Sequence, residues 1–257
     1  MLKIRVIPTL LFKSVGLVKG IGFNSWRRVD TVLPAIKVYN MREVDELILL
    51  DIVATDENRE PDYEAIREFS QECFVPFTVG GGIKTIEHIK QLLRAGADKV
   101  SINSSSFVNL DLIKEGAKMF GSQCIVASID AKIGDDGKYY CYSYAGKVNT
   151  GLEVGEWAKR LEDSGAGEIL VTSIELDGTM SGYDLELTKI ITDTVRIPVI
   201  ASGGAGNYKH MEEAIKYAGA SAVAAASIYH FTEQTPKEAK MYLASKGIPV
   251  RNTKISI

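Results

Sequence analysis

Short apolar runs recur along the chain, and each is followed by a stretch with helical patterning. The runs fall at residues 4–10, 46–51, 74–79, 99–103, 124–129, 168–172, 197–201 and 222–226. Each is short, apolar and often β-branched, as expected of strands buried on both faces. Amphipathic stretches such as residues 85–95 and 208–218 lie between them. Eight strand–helix units predict an α/β fold, either a parallel barrel or a doubly wound sheet.

An internal repeat selects between the two. The segment ELILLDI from Glu46 matches EILVTSI from Glu168 at an offset of 122 residues. The same offset pairs Asp62 with Asp184, Pro76 with Pro198, Gly81 with Gly203, Gly82 with Gly204 and His88 with His210. One register later, Gly96 pairs with Gly219 and Ser104 with Ser227. Repeats can mark tandem domains. Two four-strand halves that close on each other instead make an eight-strand barrel, whereas an open sheet would not need its halves to match. The expected architecture is a single (β/α)8 TIM barrel over residues 1–257, a length normal for that fold.

Composition narrows the partners. With 46% hydrophobic and 25% charged residues, the chain is that of an ordinary soluble protein. A net charge of −3 argues against a general nucleic-acid binder, which needs excess Lys and Arg. Cys73, Cys124 and Cys141 fit no zinc spacing and form no CxxC, so reduced thiols and a cytoplasmic location are expected. The N-terminal apolar run is too short for a signal sequence, and no run approaches the length of a membrane span. No metal-ligand spacing occurs, and no cofactor is expected.

In a parallel barrel the active site lies at the C-terminal ends of the strands. Gly80–Gly82 follow the third run and Gly203–Gly206 the seventh, each opening a helix. Glycine lets backbone N–H groups approach an anion, and a helix N-terminus adds free donors. Asn103, Ser104 and Ser105 after the fourth run, and Ala226 and Ser227 after the eighth, complete two phosphate sites. Such glycines also serve merely as tight turns; two runs at matching points of a repeat weigh against that. Two sites half a barrel apart imply a long substrate with a phosphate at each end.

Between these anchors, each half offers one residue from its first strand. The second half presents Asp130, a general acid or base or else a structural, helix-capping carboxylate. The first presents Leu11, which transfers no proton; Lys13 and Lys132 fix the pairing. Asp51 and Asp177 lie at or beyond strand ends, and Asp177–Gly178 also reads as a turn. Lys19 falls in a loop after the first strand, positioned to cover a substrate or simply solvated. His88 and His210 fall in helices on the outer ring, and His230 has no assigned role.

Almost end to end, the chain resembles the cyclase subunit of imidazole glycerol phosphate synthase. The segments FTVGGGIK, LRAGADKVSINS, FGSQCIV, SIDAK, GAGEILVTSIELDGTMSGYDLEL and IPVIASGGAG carry the resemblance. It implies a half-barrel duplication binding a bisphosphate ribulosyl substrate. Phosphate contacts are implied at Gly81, Gly82, Asn103 and Ser104, and at Gly178, Gly203, Gly204, Ala226 and Ser227. It also implies a glutaminase partner, forming a heterodimer at the N-terminal face of the barrel, with Asp98 facing it. Ammonia from that partner would pass a charged ring of Arg5, Glu46, Lys99 and Glu168; the alternative is an ordinary salt-bridge plug.

One departure redirects this expectation. The family's cyclases use two aspartates, and Leu11 stands at one of those positions; Thr9 stands where Cys is usual. The Leu-Leu sequence resembles a divergent branch that works with a sugar amidotransferase and a glutaminase homologue in acetamidino-sugar synthesis. An ammonia-channelling subunit of that branch is the leading expectation. The histidine-pathway cyclase and a non-catalytic scaffold that activates a glutaminase are the rivals. A sugar-phosphate isomerase on the same plan is disfavoured by Leu11 as well.

Overall fold

The computed structural model describes residues 3–13 and 16–251. Its strands are β1 (Arg5–Lys13), β2 (Gly16–Ile21), β3 (Asn24–Asp30), β4 (Leu47–Asp51), β5 (Phe77–Gly80) and β6 (Lys99–Ile102). They continue with β7 (Ile125–Ile133), β8 (Tyr139–Ser143), β9 (Val148–Glu153), β10 (Glu168–Ser173), β11 (Val199–Ser202) and β12 (Ala222–Ala225). Eight of these close into a parallel barrel in the order β1–β4–β5–β6–β7–β10–β11–β12, with β12 pairing back to β1. The fold is therefore a (β/α)8 barrel.

All eight expected strands exist. The third starts later than its apolar run: β5 begins at Phe77, and Phe74 is 77% exposed in the preceding loop. Pro76 is the reason. It has no N–H for the ladder, and its carbonyl instead accepts from Leu47 N at 3.0 Å. Pro198 does the same for Ile169 N at 2.9 Å, so β11 begins at Val199.

Two antiparallel hairpins have no counterpart in the apolar runs. β2 and β3 extend from β1, and β8 and β9 extend from β7. Most residues of β3 and β9 are exposed or half-exposed, so these strands carry no continuous apolar signal. Both hairpins grow from the first strand of a half-barrel, which repeats the internal symmetry.

The repeat is visible bond by bond. Asp62 caps helix Tyr63–Gln71 and Asp184 caps helix Leu185–Thr194, each accepting a backbone N–H at 3.0 Å. Ser70 Oγ donates to Ala95 O at 2.9 Å, and Thr192 Oγ1 to Ala218 O at 2.6 Å. The same helix-to-turn fastening thus occurs in each half.

Strand alternation divides the core in two. Outward residues such as Leu10, Leu49, Phe77 and Val100 pack under the helices in one continuous shell. Inside the barrel, Ile7, Ile48, Val126, Leu170, Ile200, Ala222 and Ala224 form a separate apolar layer. Phe77 is only 1% exposed between β5 and its covering helices. Phe77→Ala should cost about 3–5 kcal/mol in urea unfolding with an unchanged m-value.

Candidate functional site

A cavity of about 460 Å³ opens at the C-terminal ends of the strands. Alternate residues at the ends of β12 and β1, and of β6 and β7, line it: Ala224 and Ala226, Thr9 and Leu11, Ser101 and Asn103, and Ser128 and Asp130. Inward alternation thus carries the barrel's interior face directly into the cavity wall. The wall is chemically two-sided. Leu11, Leu50, Ala224 and Ala226 supply an apolar sector, broken by Thr9, while Ser101, Asn103, Ser128, Asp130 and Thr172 supply a polar one.

The two glycine loops lie on opposite sides of this cavity. Gly81, Gly82, Asn103 and Ser104 meet at one side, and Gly178, Gly203, Gly204, Ala226 and Ser227 at the other. Gly204 has φ +100°, and a Cβ there would fall 1.9 Å from Gly182 O. Gly81 has φ +108°, and its Cβ would fall 2.2 Å from Asp51 O. Only glycine fits either position. Ser227 Oγ is buried with no partner among the described residues, as is Thr9 Oγ1 on the neighbouring strand. Ser104 Oγ by contrast donates to Asn103 Oδ1 at 3.2 Å and accepts from Tyr144 N at 2.9 Å.

His88 and His210 lie in helices, as expected, yet they do local work there. His88 Nδ1 sits 3.3 Å from Lys84 N, and His210 Nδ1 sits 3.2 Å from Gly206 N. In the tautomer that accepts these bonds, each ring staples the loop that follows its glycines. Their matched spacing was the available signal; one turn of helix returns the ring to its own N-terminus.

Leu11 and Asp130 occupy equivalent positions, each at the start of the antiparallel ladder to a hairpin. Asp130 Oδ2 accepts from Asn103 Nδ2 at 3.0 Å. Burial, reinforced by the neighbouring Asp177 carboxylate, pushes the Asp130 carboxyl up to about 7. Near neutrality that group can both give and take a proton. Leu11 is 9% exposed and offers only a branched apolar side chain.

Lys19 is not a solvated loop residue. It lies in β2, is 2% exposed, and its Nζ donates to Asp177 Oδ2 at 2.5 Å. Asp177 is in a turn and also lines the cavity; burial raises its carboxyl against the pull of Lys19. The Gly22 N–H donates to Asp177 O at 2.9 Å, which seats the first hairpin on this turn. His230, also beside Lys19, is driven down to about 4 by burial and by that ammonium, and so is neutral at pH 7. Asp51 lines the cavity with its carboxylate already engaged, accepting from Val53 N, Ala54 N and Arg59 Nη2.

The opposite end of the barrel holds the charged ring. Arg5 Nη1 donates to Glu46 Oε2 at 2.7 Å, and Arg5 Nη2 pairs with Glu168. Lys99 Nζ lies 2.9 Å from Glu46 Oε2 and 3.0 Å from Glu168 Oε2. Two cations and two anions thus alternate, and each anion bridges both cations. Burial opposes the Arg5 charge, but its bonds to Glu168 and Glu46 hold the guanidinium above its ordinary range. The apolar layer of Ile7, Ile48, Val126, Leu170 and Ile200 separates this ring from the cavity. Asp98 is exposed at the same end, with Oδ2 accepting from Phe77 N at 2.8 Å.

The raised Asp130 carboxyl has a stability consequence. Between pH 4 and pH 7 the folded chain holds a proton there that the unfolded chain releases, so this site loses stability as pH rises. Asp130→Asn should therefore gain on the order of 1–3 kcal/mol relative to wild type at pH 8, and little at pH 4. Urea titrations of both proteins at the two pH values check the sign.

Among the described residues, no helix is long and apolar enough to cross a membrane. The family model described as "Histidine biosynthesis protein" matches residues 5–235. That span runs from the first residue of β1 past the helix that follows β12, so it includes the charged ring, both glycine loops and the cavity wall. The chain belongs to the histidine biosynthesis protein family, as a cyclase-type barrel.

Proposed function

We propose that this barrel conducts ammonia as a subunit of a glutamine-dependent amidotransferase system in acetamidino-sugar synthesis. The observation that carries the reading is Leu11. It faces the cavity where a second proton-transfer group would stand, and Asp130 is left without an equivalent partner across the site. The remaining machinery for moving a small neutral molecule is arranged along one axis. An ion-paired ring at the N-terminal end excludes ions, and the apolar layer above it favours an uncharged species.

A glutaminase docked at the N-terminal face, near Asp98, would release ammonia beneath this ring. The two glycine loops would hold a phosphorylated ligand at both ends. Backbone N–H groups at Gly81, Gly82, Gly203 and Gly204 and the free Ser227 hydroxyl supply the donors. The two-sided wall suits an acylated sugar: a methyl group rests against Leu11 and Leu50 while polar atoms meet Asn103 and Asp130. The sugar amidotransferase that uses the ammonia is a further partner in this reading.

A second reading is favoured by one specific observation. A carboxyl held near 7 serves in turn as acid and as base, so Asp130 alone could support cyclisation of the bisphosphate ribulosyl substrate.

Turnover of that substrate with excess ammonium separates the two readings. Wild type should be silent, and Leu11→Asp should gain activity, since positioned proton transfer is worth about 10²–10⁴-fold. Wild-type turnover at about 1 s⁻¹ or faster would establish the cyclase reading instead. In a thermal-shift assay, inorganic phosphate should stabilise wild type and lose that effect in Gly204→Ala.

A further inference from the structure

The charged ring is not mechanically symmetric. Glu46 accepts from three side chains: Arg5, Lys99 and Thr78, the last at 2.7 Å. Glu168 accepts from Arg5 and Lys99. The side chain of Glu46 is 2% exposed and that of Glu168 is 8%.

The residue before each carboxylate deepens the difference. Alternation turns Asp45 outward when Glu46 faces in. Asp45 is 6% exposed, and its Oδ2 accepts from Val6 N at 3.0 Å, next to Arg5. Its Oδ1 accepts from Lys240 Nζ at 3.1 Å. Lys240 is itself 2% exposed, comes from helix Pro236–Ser245, and also donates to Glu43 O at 2.5 Å. A buried ion pair outside the barrel therefore clamps the two strand starts that carry Arg5 and Glu46. Asp98 does a lighter version of this for Lys99, through its bond to Phe77 N.

Among the described residues, Glu168 has no such side-chain clamp. Gly167 precedes it, and a Cβ there would lie 2.1 Å from Ser122 O, so no side chain fits. The fastening there is backbone: Gly167 N donates to Ile125 O at 3.0 Å, Ile169 N donates to Pro198 O at 2.9 Å, and Glu168 lies in register with Val126 of β7.

We propose that Asp45, locked by Lys240, is a positioning residue that fixes Glu46 as the stationary post of the ring, so that the ring opens by displacement of Glu168. The use of that opening for ammonia rests on the function proposed above; the mechanical asymmetry does not. The C-terminal helix that carries Lys240 thereby sets the geometry of the ring without touching it.

Relaxation dispersion of ¹³C-labelled glutamate carboxyl groups in the full chain tests this, with Glu46 and Glu168 assigned through their Gln variants. In wild type, Glu168 should show exchange and Glu46 none. In the double variant Asp45→Asn/Lys240→Met, which removes both charges together, exchange should appear at Glu46 while near-UV circular dichroism stays native. Lys240→Arg should keep Glu46 quiet. Equal exchange at both carboxylates in wild type, none at Glu168, or a quiet Glu46 in the folded double variant would each overturn the proposal. The wild-type comparison needs no substitution, so it decides the matter even if the double variant unfolds. Passage itself is read separately, by ¹⁵N transfer from labelled glutamine through the assembled glutaminase complex. Absent transfer with the asymmetry intact would remove the ammonia reading and leave the clamp standing.

Discussion

Unpaired strand edges are the constraint on which the rest of this molecule depends. A half-barrel of β1, β4, β5 and β6 leaves the outer edges of β1 and β6 without partners. The half made of β7, β10, β11 and β12 leaves those of β7 and β12. Open edges expose unsatisfied backbone donors and acceptors. Each half satisfies the other through the β6–β7 and β12–β1 ladders. Once the sheet is closed, alternation leaves every second residue facing a shared axis. The ion-paired ring, the apolar layer and the cavity are consecutive levels of that one interior.

Duplication supplies this frame twice, and chemistry enters where the copies differ. Both halves build a glycine loop, a helix cap, a histidine staple and a hairpin from the same bonds. They differ at Leu11 against Asp130, which leaves a carboxyl at this position in one half and an apolar side chain in the other. They differ again at Asp45 against Gly167, so the strand start behind one ring carboxylate carries a buried side-chain clamp and the other, among the described residues, only backbone bonds. A symmetric scaffold with asymmetric fillings has a direction across its axis.

The eight barrel strands were legible because burial on both faces writes a continuous apolar run. The ring was legible only through family resemblance, since isolated Arg, Glu and Lys residues at strand starts carry no local pattern. The outer hairpin strands β3 and β9 escaped because they are exposed or half-exposed. Lys19 was misplaced for a different reason: it is buried, and the partner of its charge is Asp177, 158 residues away, not a neighbour in sequence. His88 and His210 were placed on the right elements, but their staple role depends on the glycine loop curling back over the helix start.

The sequence by itself determined the strand–helix alternation, the duplication, the glycine loops and the mismatch of Leu11 with Asp130. Each is a local pattern, or a comparison of one segment with another. Only the tertiary structure decided the upward shift of the Asp130 carboxyl, the burial of Lys19 and the asymmetry of the ring. Charge and burial depend on what lies across the barrel. Asp130 meets Asp177, and Asp45 meets Lys240, only after closure brings distant segments together and removes water from between them.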